Sequence, residues 1–165
     1  MRTLWCNENG SALLEGAIVV PVLFAIVLGA LEFAFFFHQQ HLMSTGVRDA
    51  ARYLARTNPS SGAAQTTAIN LATTALPGGG TVRRVVGFDP ADVSITFTDV
   101  PNLLDGATGL RPYRQTLPVC GGPDAIRIIN VTGSMPYTPL GFLGYFGLGA
   151  PTITVTHSER CIGTS

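Results

Sequence analysis

Residues 16–37 read GAIVVPVLFAIVLGALEFAFFF, and Glu32 is the sole charged side chain in them. At ~1.5 Å per residue such a helix rises ~33 Å, enough for a hydrocarbon core of ~30 Å. A secretory signal has an apolar core of about 7–15 residues followed by small residues at a cleavage site. Here the run continues into Phe35, Phe36 and Phe37, so the segment reads as a retained membrane helix. A lipoprotein signal does not fit, because only five residues precede Cys6. Pro21 lies near the start of the run, where a membrane helix tolerates the lost donor if neighbours satisfy the freed groups.

The residues after the run carry the helix onward. In HQQHLMSTGVRDAARYLAR, residues 38–56, Met43, Val47, Ala50, Ala51 and Leu54 fall on one helical face. Gly46 is a weak point on this reading, costing ~1 kcal/mol relative to Ala. The spacing predicts one rod from about residue 11 to residue 56, roughly 70 Å long at ~1.5 Å per residue. Asn58 and Pro59 end it. Residues 63–76 fit a second helix with Ala64, Ala68, Leu71, Ala72 and Ala75 as its apolar stripe, stopped by Pro77 and three glycines. The period then changes to two. Residues 81–88, 93–98, 125–132 and 152–158 read as four strands. The Pro- and Gly-rich residues 99–124 hold no clear element, and a loop of that length is usually functional or tied down. Residues 134–151, SMPYTPLGFLGYFGLGAP, are apolar but too broken by Pro and Gly for a second span. Two uses for them stay open: packing inside their own domain, or an apolar cap against the bilayer or a partner.

The expected fold class is therefore α+β. A long N-terminal transmembrane helix continues into a small domain with a second helix and an antiparallel sheet of about four strands. The expected divisions are a leader at 1–10, the transmembrane helix at 11–37 and a domain at 38–165.

Composition narrows the function. The 165 residues hold ten basic and ten acidic side chains, and every basic one is Arg. Charged residues make up 12% of the chain, about half the usual share. Zero net charge argues against nucleic acid as a partner. Orientation draws on two signals. Arg48, Arg52 and Arg56 follow the run, which on a positive-inside count favours a cytoplasmic C-terminal side. Cys120 and Cys161 favour an oxidising compartment if they form a disulfide, with two buried thiols as the alternative. The cysteines are given the greater weight, because the first of those arginines lies eleven residues past the run.

The search for catalytic chemistry finds little. His38 and His41 share a helix face, but no Cys, Asp or Glu joins them at metal-ligand spacing. The three glycines at 78–80 precede a strand rather than follow one, and no Lys is present to complete a phosphate loop. Asp89, Asp92, Asp99 and Asp105 read as solvated turn residues. Asn130-Val131-Thr132 fits a glycosylation triplet but falls in an expected strand. No nucleophile–base pair stands out, so neither an enzyme nor a cofactor is expected, and a small-molecule substrate is not expected either.

The informative constellation precedes the apolar run. Gly10 is followed by Ser11, three more residues, then Glu15. A carboxylate at a membrane helix is costly unless paired, so it generally marks function. If the chain is cut after Gly10, the new ammonium of Ser11 lies about one turn from Glu15, and the two neutralise one another within a chain or between stacked chains.

This arrangement resembles a class III signal of the type IV pilin kind. The wider stretch, GSALLEGAIVVPVLFAIVLGALEFAFFFHQQHLMSTGVRDAARYLAR, resembles the N-terminal signature of the TadE-like proteins of tight-adherence (Flp-type) pilus systems. The matching features are Glu15, Pro21, Glu32-Phe33 and the segment RDAARY at 48–53; the likeness over 57–165 is loose. The resemblance implies a pseudopilin or minor pilin held in the bacterial inner membrane with its domain in the periplasm. It implies processing by a prepilin peptidase after Gly10, and partnership with other pilins and assembly-platform proteins. Glu32 is then expected to contact a helix of one of these partners. The competing reading is a membrane-anchored binding or adhesion module outside any filament, with residues 99–124 carrying recognition.

Overall fold

In a computed structural model of the chain, the structure describes residues 8–114, 117–141, 144, 147 and 149–163, with the backbone alone for residues 8–12. Helix α1 runs unbroken over Glu8–Ala55, with Pro21 inside it. Helix α2 covers Gly62–Thr74. Strands β1 (Val93–Pro101), β2 (Ala125–Pro136) and β3 (Thr152–Arg160) form one antiparallel sheet in the order β1-β2-β3. The layout is α+β. Two compact units divide the chain: residues up to Phe37 together with Pro139–Gly149, and His38–Thr138 together with Ala150–Ser165.

The second unit is built on small residues. Met43, Val47, Ala50, Ala51 and Leu54 of α1 are all buried. So are Ala64, Ala68 and Ala72 of α2. Of the stripe expected on α2, Ala75 is instead exposed and ends the helix in the left-handed region at φ 66°. A side chain on Gly46 would place Cβ 2.2 Å from the carbonyl oxygen of Ala72. Gly46 therefore marks where α2 comes against α1, not a weak point of the helix. The sheet turns Ile129, Val131 and Met135 of β2 and Ile153 of β3 into the same core. Each such side chain contributes about 1.5–3 kcal/mol by leaving water.

The other sheet face carries Ser, Thr and Asn along most of its length, with Val100, Ile126, Ile128 and Arg160 at one end. Thr132 and Thr156 share a hydroxyl hydrogen bond, as do Ser134 and Thr154. Asn130 donates to Thr98 and accepts from Ser158, so the glycosylation triplet is part of the sheet's cross-strand bonding. The register explains this sorting: Thr98 lies two positions from the partner of Asn130, and Ser158 is its partner directly.

Two expectations need correction. Residues 81–88 are not a strand. The N–H of Arg84 donates to the Thr73 carbonyl and its side chain to the Leu71 carbonyl, so this segment satisfies the end of α2 instead of a sheet edge. Val85 and Phe88, three apart, are its buried residues, while Val82 and Val86 are exposed. Phe88 fills the space that a side chain on Gly133 would need, with Cβ there only 2.9 Å from the ring. Secondly, Asp99 is not a turn residue; it lies in β1 and takes Arg127 of β2 through two bonds of 2.8 and 2.9 Å. Residues 139–149, for which two uses were open, group with the N-terminal unit.

The long loop after β1 is tied at several points. The buried amide of Asn102 donates to the carbonyls of Tyr113 and Pro123 and accepts from the N–H of Tyr113. Arg111 donates to the Asn102 carbonyl and pairs with Asp124. Cys120 is disulfide-bonded to Cys161 across 41 positions, a closure worth ~4 kcal/mol in the chain-entropy account. The chain beyond Cys161 then turns back, and the N–H groups of Ile162 and Gly163 both donate to Ala55, capping the end of α1.

Two outcomes follow from this packing. Gly46→Ala in the full chain is expected to lower the melting temperature, with a cost of about 1–3 kcal/mol for overpacking. A helix free of the α2 contact would instead gain ~1 kcal/mol from the same change, so the sign of the shift decides. Hydrogen bonding from Arg127, and its charge, hold the Asp99 carboxyl below its ordinary value of 3.8. A lowered folded value gives stability that is present above pH 3.8 and lost as pH falls through the lowered value. The pair is open to solvent on the Asp99 side, so Asp99→Asn is expected to cost only about 0.2–1 kcal/mol at neutral pH. Melting curves of the two proteins should converge as pH drops below 3.8.

Candidate membrane and assembly site

The site begins with what the N-terminal unit leaves bare. From Leu13 to Phe37 nearly every residue is exposed, including Ile18, Leu23, Phe24, Ile26 and Phe33. The most apolar window of this helix has a mean hydropathy of 2.5, and it is the one helix among the described residues long and apolar enough to cross a membrane. A helix that is apolar and exposed on nearly every side suits a lipid solvent.

Within that exposed run Glu32 is the buried exception, at 4% exposure. Its carboxylate Oε1 accepts the backbone N–H of Leu140 at 3.0 Å. Local sequence makes this contact reachable. Pro139 keeps the preceding backbone extended, and Gly141 turns the chain at φ 107°, in the left-handed region that favours glycine. The Leu140 side chain itself stays 57% exposed. In the second unit, Gln39 donates to the carbonyl of Thr138, so the chain just before this segment is also held by α1.

Glu15 is exposed on α1. It and Glu32 are seventeen residues apart, which at 3.6 residues per turn puts them roughly 100° apart around the helix. The two carboxylates do not converge. Gly10 and Ser11 lie in helical backbone, because α1 starts at Glu8. Cys120 and Cys161 are joined, as described, in the second unit. His38 and His41 are exposed, and among the described residues no three His, Cys, Asp or Glu side chains gather as metal ligands. Asp89 and Asp92 form a capping box on the short turn Pro90–Asp92, and Asp105 accepts from the N–H groups of Ala107 and Thr108. Those two bonds lower the Asp105 pKa.

The concave surfaces belong to the second unit. A hollow of about 490 Å³ is lined by Arg52, Arg56, Glu159 and Arg160, and one of about 260 Å³ by Tyr113, Arg114 and Arg160. The Arg160 guanidinium lies 4.9 Å from the centre of the Tyr113 ring.

Sequence reasoning missed the Glu32–Leu140 bond. One signal pointed toward it: residues 128–158 contain no Asp, Glu, Lys or Arg, so this stretch is as free of charge as the membrane run.

No curated protein and no solved structure matches the chain. One family model does match it, over residues 10–52, a span that includes Glu15, Pro21, Glu32 and the start of the arginine-bearing outer helix. That model is described as TadE-like protein, so the chain carries a TadE-like N-terminal segment and is consistent with a TadE-like, pilus-associated protein.

Proposed function

We propose that this chain is a pilin-like subunit, a pseudopilin or minor pilin, in the assembly of a tight-adherence pilus. The observation that carries the reading is the exposed apolar helix with its two carboxylates, inside the segment that matches the TadE-like model. A prepilin peptidase cuts after Gly10. The helix start lies two residues before that glycine, so cleavage requires the first turn to open. Glycine lowers the cost of opening, since it is the least helix-favouring residue after Pro. The new ammonium of Ser11 then neutralises Glu15 one turn along, in its own chain or the next one in the stack.

Periplasmic placement of the second unit is supported by the disulfide, which persists in oxidising compartments. The partners on this reading are the prepilin peptidase, other pilins, the assembly platform and inner-membrane lipid. Glu32 reaches a partner helix when Leu140 leaves it, so an intermolecular contact there competes with the internal bond. The second reading, an anchored binding or adhesion module, draws on the hollow to which the loop after β1 contributes Tyr113 and Arg114.

Mass spectrometry of the mature N-terminus, in membranes with and without the prepilin peptidase, tests the proposal. The expected result is a peptide beginning at Ser11 only where the peptidase is present. Glu15→Ala is then expected to be cut normally but to leave pili reduced or absent. An N-terminus at Met1 under both conditions would favour the anchored module.

A further inference from the structure

We propose that the chain at Pro139–Gly141 is a second lipid contact, held against Glu32 and seated among the acyl chains of the leaflet in which Glu32 lies. The inference rests on the reading of α1 as a membrane span and adds to it a second membrane-embedded segment. Its place follows from the carboxylate. Glu32 precedes Phe37, the last residue of the apolar run, by five positions, or about 7.5 Å of helix rise. A segment whose backbone N–H reaches that carboxylate lies at the same depth. The helix neighbours Leu31, Phe33 and Phe35 are all exposed, so the surroundings at this depth are lipid.

The segment's chemistry suits that solvent. PLGFLGYFGLG has no charged residue, and it sits within the charge-free stretch 128–158. Leu140 turns an exposed side chain outward while its N–H is taken by Glu32. Irregular backbone at membrane depth is tolerated only where its polar groups are satisfied by protein. Among the described residues, the N–H of Leu140 goes to Glu32 and that of Gly147 to the carbonyl of Gly144. The relation is reciprocal, because the carboxylate also gains a donor where water is scarce. Glu32 is thus a positioning residue for this stretch, and the occupant facing the Leu140 side chain is lipid.

Depth-dependent fluorescence quenching tests this on the full chain in phospholipid vesicles. A Cys6→Ser background keeps the native disulfide, and an environment-sensitive label is placed singly at Leu140→Cys, at Leu23→Cys in the span, and at Thr154→Cys on the polar sheet face. Nitroxides on the lipid acyl chains are expected to remove most of the emission at 140 and at 23 and little at 154. A water-soluble quencher should show the reverse order. Loss at 23 without loss at 140 overturns the lipid contact and leaves the membrane helix standing. No loss at either overturns both. With the label at 140, Glu32→Gln, which retains an acceptor oxygen, is expected to keep the quenching, and Glu32→Ala to lose most of it. Full quenching in Glu32→Ala would overturn the positioning role.

Discussion

A carboxylate near the end of an otherwise uncharged apolar run constrains this chain more than any other single feature. A carboxylate at hydrocarbon depth is unfavourable by several kcal/mol unless something donates to it. The chain meets that demand itself, by bringing a backbone N–H from more than a hundred residues away. The consequence reaches beyond one bond. The connection between β2 and β3 is no short hairpin turn: it spans the residues between Pro136 and Thr152, and Leu140 within it reaches Glu32. Proline and glycine in that connection then serve two ends: they keep the backbone irregular enough to approach a helix, and they avoid adding charge.

Helix α1 answers to two solvents along its length. Its first part is apolar on every side, so burying any one side would gain little. Its second part is amphipathic, with Met43, Val47, Ala50 and Leu54 inside and Arg48, Arg52 and Arg56 outside. The alanines and Gly46 in this part have a packing reason. Small residues let α2 approach until the Ala72 carbonyl occupies the place of a missing side chain. The same device recurs at Gly133, which leaves room for the ring of Phe88. A domain with few large aliphatic side chains thus reaches close packing by bringing backbones together, and the disulfide at Cys120 closes the part that helix contacts do not reach.

What the sequence made legible followed from periodicity. The apolar run, the inward face of α1 from Met43 to Leu54, the second helix, and the three strands that pair were all readable, because each repeats a pattern over several turns or pleats. The pairing of Cys120 with Cys161 was readable as one of two options. The misreadings share a cause. Residues 81–88 have strand-like composition, yet Arg84 bonds to helix carbonyls, a tertiary contact that no local pattern encodes. Gly46 looked like a weakness because the sequence does not show what comes against it. Leu140 has no local mark that ties it to Glu32; only the absence of charge around it hinted at a shared environment.

The Glu32–Leu140 bond also bears on the pilin-like reading proposed above. A carboxylate satisfied by a backbone N–H keeps that partner whatever the side chain at 140 is, so the bond depends on the path of the segment and not on its composition. A partner helix offering a donor of its own could replace Leu140 without leaving a bare charge in lipid at the end of the exchange. Such an exchange moves an uncharged segment between two apolar surroundings, and the hydrophobic effect favours neither end strongly. The direction is then set by which donor satisfies the carboxylate better. The disulfide and the small-residue contacts of the second unit involve neither Glu32 nor Leu140.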